Sequence, residues 1–252
     1  VKTENLIAIG GLITAAASVI VALLAFKQTI LQRTTLTKPQ LFPSNINIPV
    51  TFKSGRIFSI SPKEEEFKIH FQIPIKNVGL GTALNLKYSW EFDYINTLKT
   101  CGFSQMAVHH LERALVTEHS SETGKTFYYE NNKSNESLYL SLSNNKTRKS
   151  YSIRKVLNEL EYIIPITQDD SPKFLLLPSL IPISFIEKIE KTIELPQRMM
   201  TETECGVLHL TYEDISGRKL KCRFSCTFRL TRFNSNGEHG PESVYILKLH
   251  RL

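Results

Sequence analysis

Four cysteines, at positions 101, 205, 222 and 226, are the residues best suited to covalent or metal chemistry in this chain, either as two disulfides or as a metal site. Cys222 and Cys226 stand four apart in an alternating segment, so on a strand they share a face about 13 Å apart. That is beyond the roughly 7 Å Cα limit of a disulfide. Both occupy apolar-face positions and read as buried free thiols acting as small hydrophobes, which suits a reducing cytoplasm. His109 and His110 are adjacent; on a helix they would point about 100° apart and share one metal poorly, so solvent-facing residues explain them. No phosphate-cradling P-loop, HExxH helix or G-x-S-x-G elbow occurs. The sequence therefore assigns no catalytic, cofactor-binding or metal-ligating residue and implies no cofactor.

Charge supplies the other candidate chemistry. The chain has 252 residues, with 31 Lys+Arg against 24 Asp+Glu for a formal +7. Part of the excess lies on one predicted strand, whose outward positions include Lys219, Lys221, Arg223 and Arg229. Such a face could receive an anionic partner: an acidic lipid surface, a nucleotide or a nucleic-acid backbone. The plainer explanation is that Lys and Arg guard a sheet edge against aggregation. Base-stacking aromatics are absent from this face, which disfavours nucleic acid.

The elements that would carry these residues begin with a membrane anchor. Leu6 to Phe26 is an uncharged run of 21 residues, which as a helix reaches roughly 31 Å, a bilayer's hydrocarbon core. It is too long for a signal-peptide core and ends in Leu24, Ala25, Phe26, Lys27, so an uncleaved single-pass anchor is expected, in the inner (cell) membrane. Lys27, Arg33 and Lys38 follow it with no acid before Glu64, which favours a cytoplasmic soluble domain. Ala8, Gly11, Ala15, Ser18, Ala22 and Ala25 recur at steps of three and four, a small-residue stripe suited to transmembrane packing and self-association; simple Ala/Gly abundance explains it equally well.

Residues 27–44 read as a polar stalk and 45–252 as one β-rich soluble domain. FKIHFQIPIK and ALNLKYSWEFDY both alternate apolar and polar positions, around the turn NVGLGT at 77–82, and are expected to pair as strands. Trp90 is expected as a core anchor. A helical insertion is expected at about 96–200: Phe103, Met106, Ala107, Leu111, Ala114 and Leu115 are helically spaced, as are Ile153, Val156, Leu157, Leu160 and Ile164. Within it, LYLSL and FLLLP read as short strands, and Ser184 with Glu187 forms a capping-box signature for a helix ended by Pro196. Sequons at Asn132, Asn135 and Asn145 matter only in a secretory lumen. Leu208, Leu210 and Tyr212, then EDISGR, then Leu220 to Leu230 form a hairpin, and SVYILKLHRL a last strand. The expected fold is α+β, mainly β: a transmembrane helix followed by an antiparallel sandwich or barrel-like domain.

Two motifs carry a resemblance. KNVGLGTALNLKYSW, through Asn77, Gly79, Gly81, Ala83 and Asn85, and the Y-x-D-x-x-G hairpin of Tyr212, Asp214 and Gly217, are similar to segments of poorly characterised bacterial proteins with one amino-terminal membrane helix and a β-sandwich-like domain. These residues mark fold: glycines permit positive φ and Asp214 can bond its own turn. The resemblance implies no catalytic residue. The leading expectation is a non-enzymatic membrane protein that binds a partner or ligand, as a homo-oligomer or with a co-encoded protein. A membrane-perturbing effector of an anti-phage defence system is the alternative, and an enzyme using the insertion as a lid is the least favoured. If the stripe packs helices, single-Cys variants at Ala15 or Ser18 will crosslink more than those at Ile20 or Leu24; equal crosslinking would sink the idea.

Overall fold

The computed structural model describes residues 3–36, 38–52, 58, 60–62, 70–106, 124–132, 137–144, 148–169, 171–236 and 241–252. Helix α1 (Thr3–Leu36) is the apolar amino-terminal segment, and its stretch Gly10–Gln32 is long and apolar enough to cross a membrane. Hydroxyls on it are satisfied within the helix: Thr14 Oγ1 donates to the Gly10 carbonyl and Ser18 Oγ to that of Thr14, as a hydrocarbon environment demands. The helix runs ten residues past the expected anchor. The rest of the expected stalk joins the domain, because Pro39 is buried and β1 (Leu41–Pro43) pairs inside it.

The domain continues with β2 (Ile46–Phe52), β3 (Ile60–Pro62), β4 (His70–Asn77), β5 (Ala83–Glu91), α2 (Tyr94–Thr100), β6 (Ser104–Gln105) and β7 (Thr126–Asn132). Then come β8 (Ser137–Ser143), β9 (Arg148–Arg154), β10 (Leu157–Ile163), β11 (Lys173–Pro178), α3 (Leu180–Thr192) and α4 (Leu195–Met200). The long strands β12 (Thr203–Glu213), β13 (Lys219–Asn234) and β14 (Glu242–Arg251) close the order. A seven-stranded antiparallel sheet runs β10-β5-β12-β13-β14-β2-β3, a three-stranded sheet β1-β4-β11, and a four-stranded sheet β6-β7-β8-β9. The fold is α+β and mainly β, as the alternating patterns imply.

The seven-stranded and three-stranded sheets are linked through polar atoms of otherwise apolar side chains. Trp90 Nε1 donates to the Leu176 carbonyl at 3.0 Å, and Leu176 N donates to the Tyr88 hydroxyl at 2.8 Å. Trp90 thus packs half-buried against the core as the anchor expected of it. Helix α3 covers the inner face, with Phe185 stacked on Phe228 at 5.7 Å. Its buried Glu187 is paired with Lys125 at 3.3 Å and Lys191 at 3.4 Å.

Several local expectations are corrected. The strands β4 and β5 do not pair; they belong to different sheets, because the turn between them is pinned from both sides. Asn77, 1% exposed, donates through Nδ2 to the Gly81 and Ile163 carbonyls at 2.6 and 3.1 Å. Its Oδ1 accepts from Gln40 N at 2.9 Å and Gly79 N at 3.1 Å. Gly79 is required for close approach, not positive φ: a Cβ there would overlap the Lys38 carbonyl oxygen and stand 2.6 Å from Gln40 N. The left-handed residue of the motif is Asn85 (φ 52), at a bulge in β5.

Between Ser152 and Ile164 there is no helix but the end of β9 and all of β10. A register shift between Leu157 and Leu160 breaks the two-residue alternation and produces a three-residue step that imitates a helical period. Helix α3 starts at Leu180 with Ser179 at its N-cap position; Ser184 lies inside it and donates back to the Leu180 carbonyl at 2.7 Å. Pro196 stands in the first turn of the short α4 and does not end α3, which stops at Thr192. Of the first helical pattern, Phe103 and Met106 flank β6, while Ala107, Leu111, Ala114 and Leu115 lie outside the described residues, as do His109 and His110. Replacing Asn77 by Ala strands several buried backbone groups and is expected to cost about 3 kcal/mol; an unchanged denaturation midpoint of the full chain in detergent would contradict the clamp.

Candidate functional site

The basic strand of the sequence is β13, and it is the middle strand of seven, hydrogen-bonded to β12 on one side and β14 on the other. Edge protection therefore cannot account for its cations. Alternation along β13 buries Cys222, Phe224, Cys226, Phe228 and Leu230 and leaves Lys219, Lys221 and Arg223 exposed on the opposite face. Each strand neighbour adds outward residues in register: Lys221 lies opposite Thr211, which lies opposite Lys87, and Arg223 lies opposite His209, which lies opposite Ser89. Adjacent strands are about 4.8 Å apart, so Lys87 and Lys221 flank Thr211 within roughly 10 Å, a span two lysine side chains can close around one anion.

A depression of about 290 Å³ opens here, lined by His209, Thr211, Lys221, Arg223 and Leu252 among others. Leu252 N donates to the Arg223 carbonyl at 3.0 Å, which holds Leu252 against this row. Acids compensate only part of the face. His209 Nε2 is 2.8 Å from a Glu91 carboxylate oxygen, and Glu202 is bound by Lys248, by His250 at 3.3 Å and by the Thr227 hydroxyl at 3.3 Å. The Lys248 contact is the main reason the Glu202 carboxyl is held below its usual range. Among the described residues no acid lies within ion-pair distance of Lys87, Lys219, Lys221, Arg223 or Arg229. Arg229 is six residues beyond Arg223, roughly 20 Å along the strand, and past the Glu202 cluster, so it stands apart from the depression.

Lys87, His209 and Thr211 were not singled out in the sequence. Their outward orientation follows from the alternation of β5 and β12, but their meeting with Lys221 depends on register, which sequence spacing does not encode.

The turn that starts β13 is built around Asp214. Its Oδ1 accepts from Ser216 N and Arg218 N, both at 3.0 Å, and Oδ2 from Arg218 Nε at 3.0 Å, while Gly217 takes the left-handed conformation (φ 78). Burial opposes ionisation of Asp214, but the bonds from Ser216 and Arg218 outweigh it and keep the carboxyl below its ordinary range.

The cysteines are all buried thiols. Burial, reinforced by Glu187, pushes Cys101 up to about 12, and burial likewise raises Cys205 and Cys222. None of these three is a thiolate near neutral pH, so none is a ready nucleophile. Cys205 lies against Cys226 across a bulge, where Gly206 is obligatory because a Cβ would overlap the Glu91 carbonyl oxygen.

Against known proteins, the chain matches no family model, no curated protein and no solved structure. What the site can do rests on its own geometry, a depression bordered by exposed cations on the central strand of a sheet.

On the helix, Gly11, Ala15, Ser18, Ala22 and Ala25 are exposed and fall within an arc of about 80° at 3.6 residues per turn. Ala8 lies on the same helix, its side chain outside the described residues.

Because Asp214 is depressed, its contribution to stability is present above the ordinary carboxylate range and lost as pH falls through its lowered folded value. Asp214→Asn should therefore lower the neutral-pH denaturation midpoint and flatten its decline in acid; a parallel, undiminished acid decline would refute the assignment.

Proposed function

We propose that this protein is a non-enzymatic, membrane-anchored binding protein whose β domain, on the cytoplasmic side, receives an anionic partner on the outer face of β13. The observation that carries the reading is a depression on the central strand lined by Lys221 and Arg223, with Lys87 in register beside its Thr211, cations that have no ion-pair partner among the described residues. Cations at an edge discourage sheet pairing; cations in the middle of a sheet have no such duty, and their uncompensated field attracts and orients negative charge. A sheet interior also holds its side-chain bases rigidly, which lowers the ordering cost of binding. Helix α1 supports the anchor, and Arg33 and Lys38, which follow the stretch Gly10–Gln32 with no acid before Glu64, support the cytoplasmic side. The small-residue stripe along α1 supports a homo-oligomer held together in the bilayer, and a co-encoded acidic protein is the partner class that suits the depression. The layout of one apolar helix and a β-rich domain is that of the bacterial membrane proteins its two motifs resemble.

The test uses the full chain in detergent and a polyglutamate peptide as the anionic probe. The double variant Lys221→Glu, Arg223→Glu should bind about tenfold or more weakly, whereas Arg229→Glu, outside the depression, should bind as the parent does. Equal binding by parent and double variant removes this surface from consideration.

A further inference from the structure

The loops at one end of the domain carry apolar side chains left exposed among the described residues: Val78 is 49% exposed, Leu80 56% and Ile215 66%. Isolated exposed apolar residues are ordinary, but the topology gathers these. Leu84 pairs with Glu213 in antiparallel register, so the loop that precedes β5 and the turn that follows β12 leave the sheet at the same end. The chain arriving from α1 enters the domain there too. Val78 N donates to the Gln40 carbonyl at 2.9 Å, and the Tyr212 hydroxyl donates to the Pro39 carbonyl at 3.2 Å.

The covalent tether decides what this end faces. The membrane-spanning stretch of α1 ends at Gln32 and the helix at Leu36, two residues before Lys38. Four helical residues and two more at full stretch reach at most roughly 13 Å, and the headgroup layer on each side of a bilayer is itself about 5 to 8 Å deep. Loops bound directly to Pro39 and Gln40 therefore lie at or next to that layer. The charge at this end suits it. Lys38 and Lys219 are exposed and, among the described residues, have no ion-pair partner. Of the nearby acids, Asp214 is engaged by Arg218, Glu213 accepts from Asn85 Nδ2, and Asp169 accepts from Ser171 N.

We propose that this end of the domain is seated on the bilayer that holds α1, with Val78, Leu80 and Ile215 at the boundary between headgroups and acyl chains and with Lys38 and Lys219 on lipid phosphates. The proposal rests on the reading of α1 as a membrane anchor. Apolar tips beside cations are the composition that binds an anionic interface, through buried apolar area and electrostatic attraction together. Seating also orients β13, which rises from the turn at 214–218, so the basic depression stands at a set height above the lipid.

The experiment uses the full chain in nanodiscs containing phosphatidylglycerol, with a fluorophore placed in turn at Ile20→Cys, Leu80→Cys, Ile215→Cys and Asn236→Cys, and lipids brominated near the headgroup or deep in the acyl chain as quenchers. Asn236 lies in the turn at the far end of β13. The expected result is quenching at Ile20 by the deep bromines and at Leu80 and Ile215 by the shallow ones, several-fold above Asn236. Quenching at Ile20 with Leu80 or Ile215 no more quenched than Asn236 overturns the seat and leaves the anchor standing; no quenching at Ile20 overturns both. Leu80→Glu with Ile215→Glu, on exposed tips that leave the fold intact by circular dichroism, should abolish shallow quenching of a label at Val78→Cys. Persistent quenching there contradicts the apolar contribution.

Discussion

The carboxamide of Asn77 joins three pieces of chain that lie far apart in sequence. Buried and fully bonded, it ties the segment emerging from α1, the end of β4 and the end of β10, and it closes the turn that sends the chain from one sheet to the other. A carboxamide can do this because it offers two donors and a two-lone-pair acceptor within one planar group. Gly79 makes the arrangement sterically feasible by letting Lys38 and Gln40 approach the turn backbone directly. The consequence reaches the whole molecule: within a few residues of the apolar helix α1 the chain is bonded into the domain.

That constraint gives the domain an orientation. With Pro39 and Gln40 bonded to Tyr212 of β12 and to the loop before β5, covalent reach determines which end of the sheet lies nearest α1. The long central strands run away from it. The basic face of β13 is therefore central in its sheet and held at a set distance from α1; on the proposed reading, cations so placed act as a directed receptor instead of a diffuse positive field. The turn at Asp214, internally bonded through Ser216 and Arg218, begins this strand and holds its first cation, Lys219, at the sheet end.

Periodicity made much of the fold legible. Alternation over β5, β12, β13 and β14 identifies the faces of the long strands, since their core residues keep two-residue spacing from Leu86 to Tyr88, Leu208 to Tyr212, Cys222 to Leu230 and Tyr245 to Leu247, and the apolar length of α1 identifies a helix long enough to span a membrane. It failed where the backbone breaks its own period. The register shift in β10 turned alternation into an apparent helix, and in α3 the true N-cap position, Ser179, lacks any side-chain cap, whereas Ser184 and Glu187 imitate a capping box inside the helix. The pairing of β4 with β5 failed for a different reason: a six-residue turn with two glycines resembles a hairpin, and only the contact with Lys38 to Gln40 shows that it changes sheets.

By itself, then, the sequence determined the membrane-length helix, the inward and outward faces of each long strand, and the presence of a cationic row on one of them, because each of these follows from residue type at fixed spacing along a single element. Only the tertiary structure decided that the cationic strand is the fourth of seven, that Lys87, His209 and Thr211 stand beside it, and that the apolar tips of two separate turns come out together beside the root of the helix. Strand order and register depend on contacts between residues more than a hundred positions apart, such as Leu84 with Glu213, and no local period carries that information.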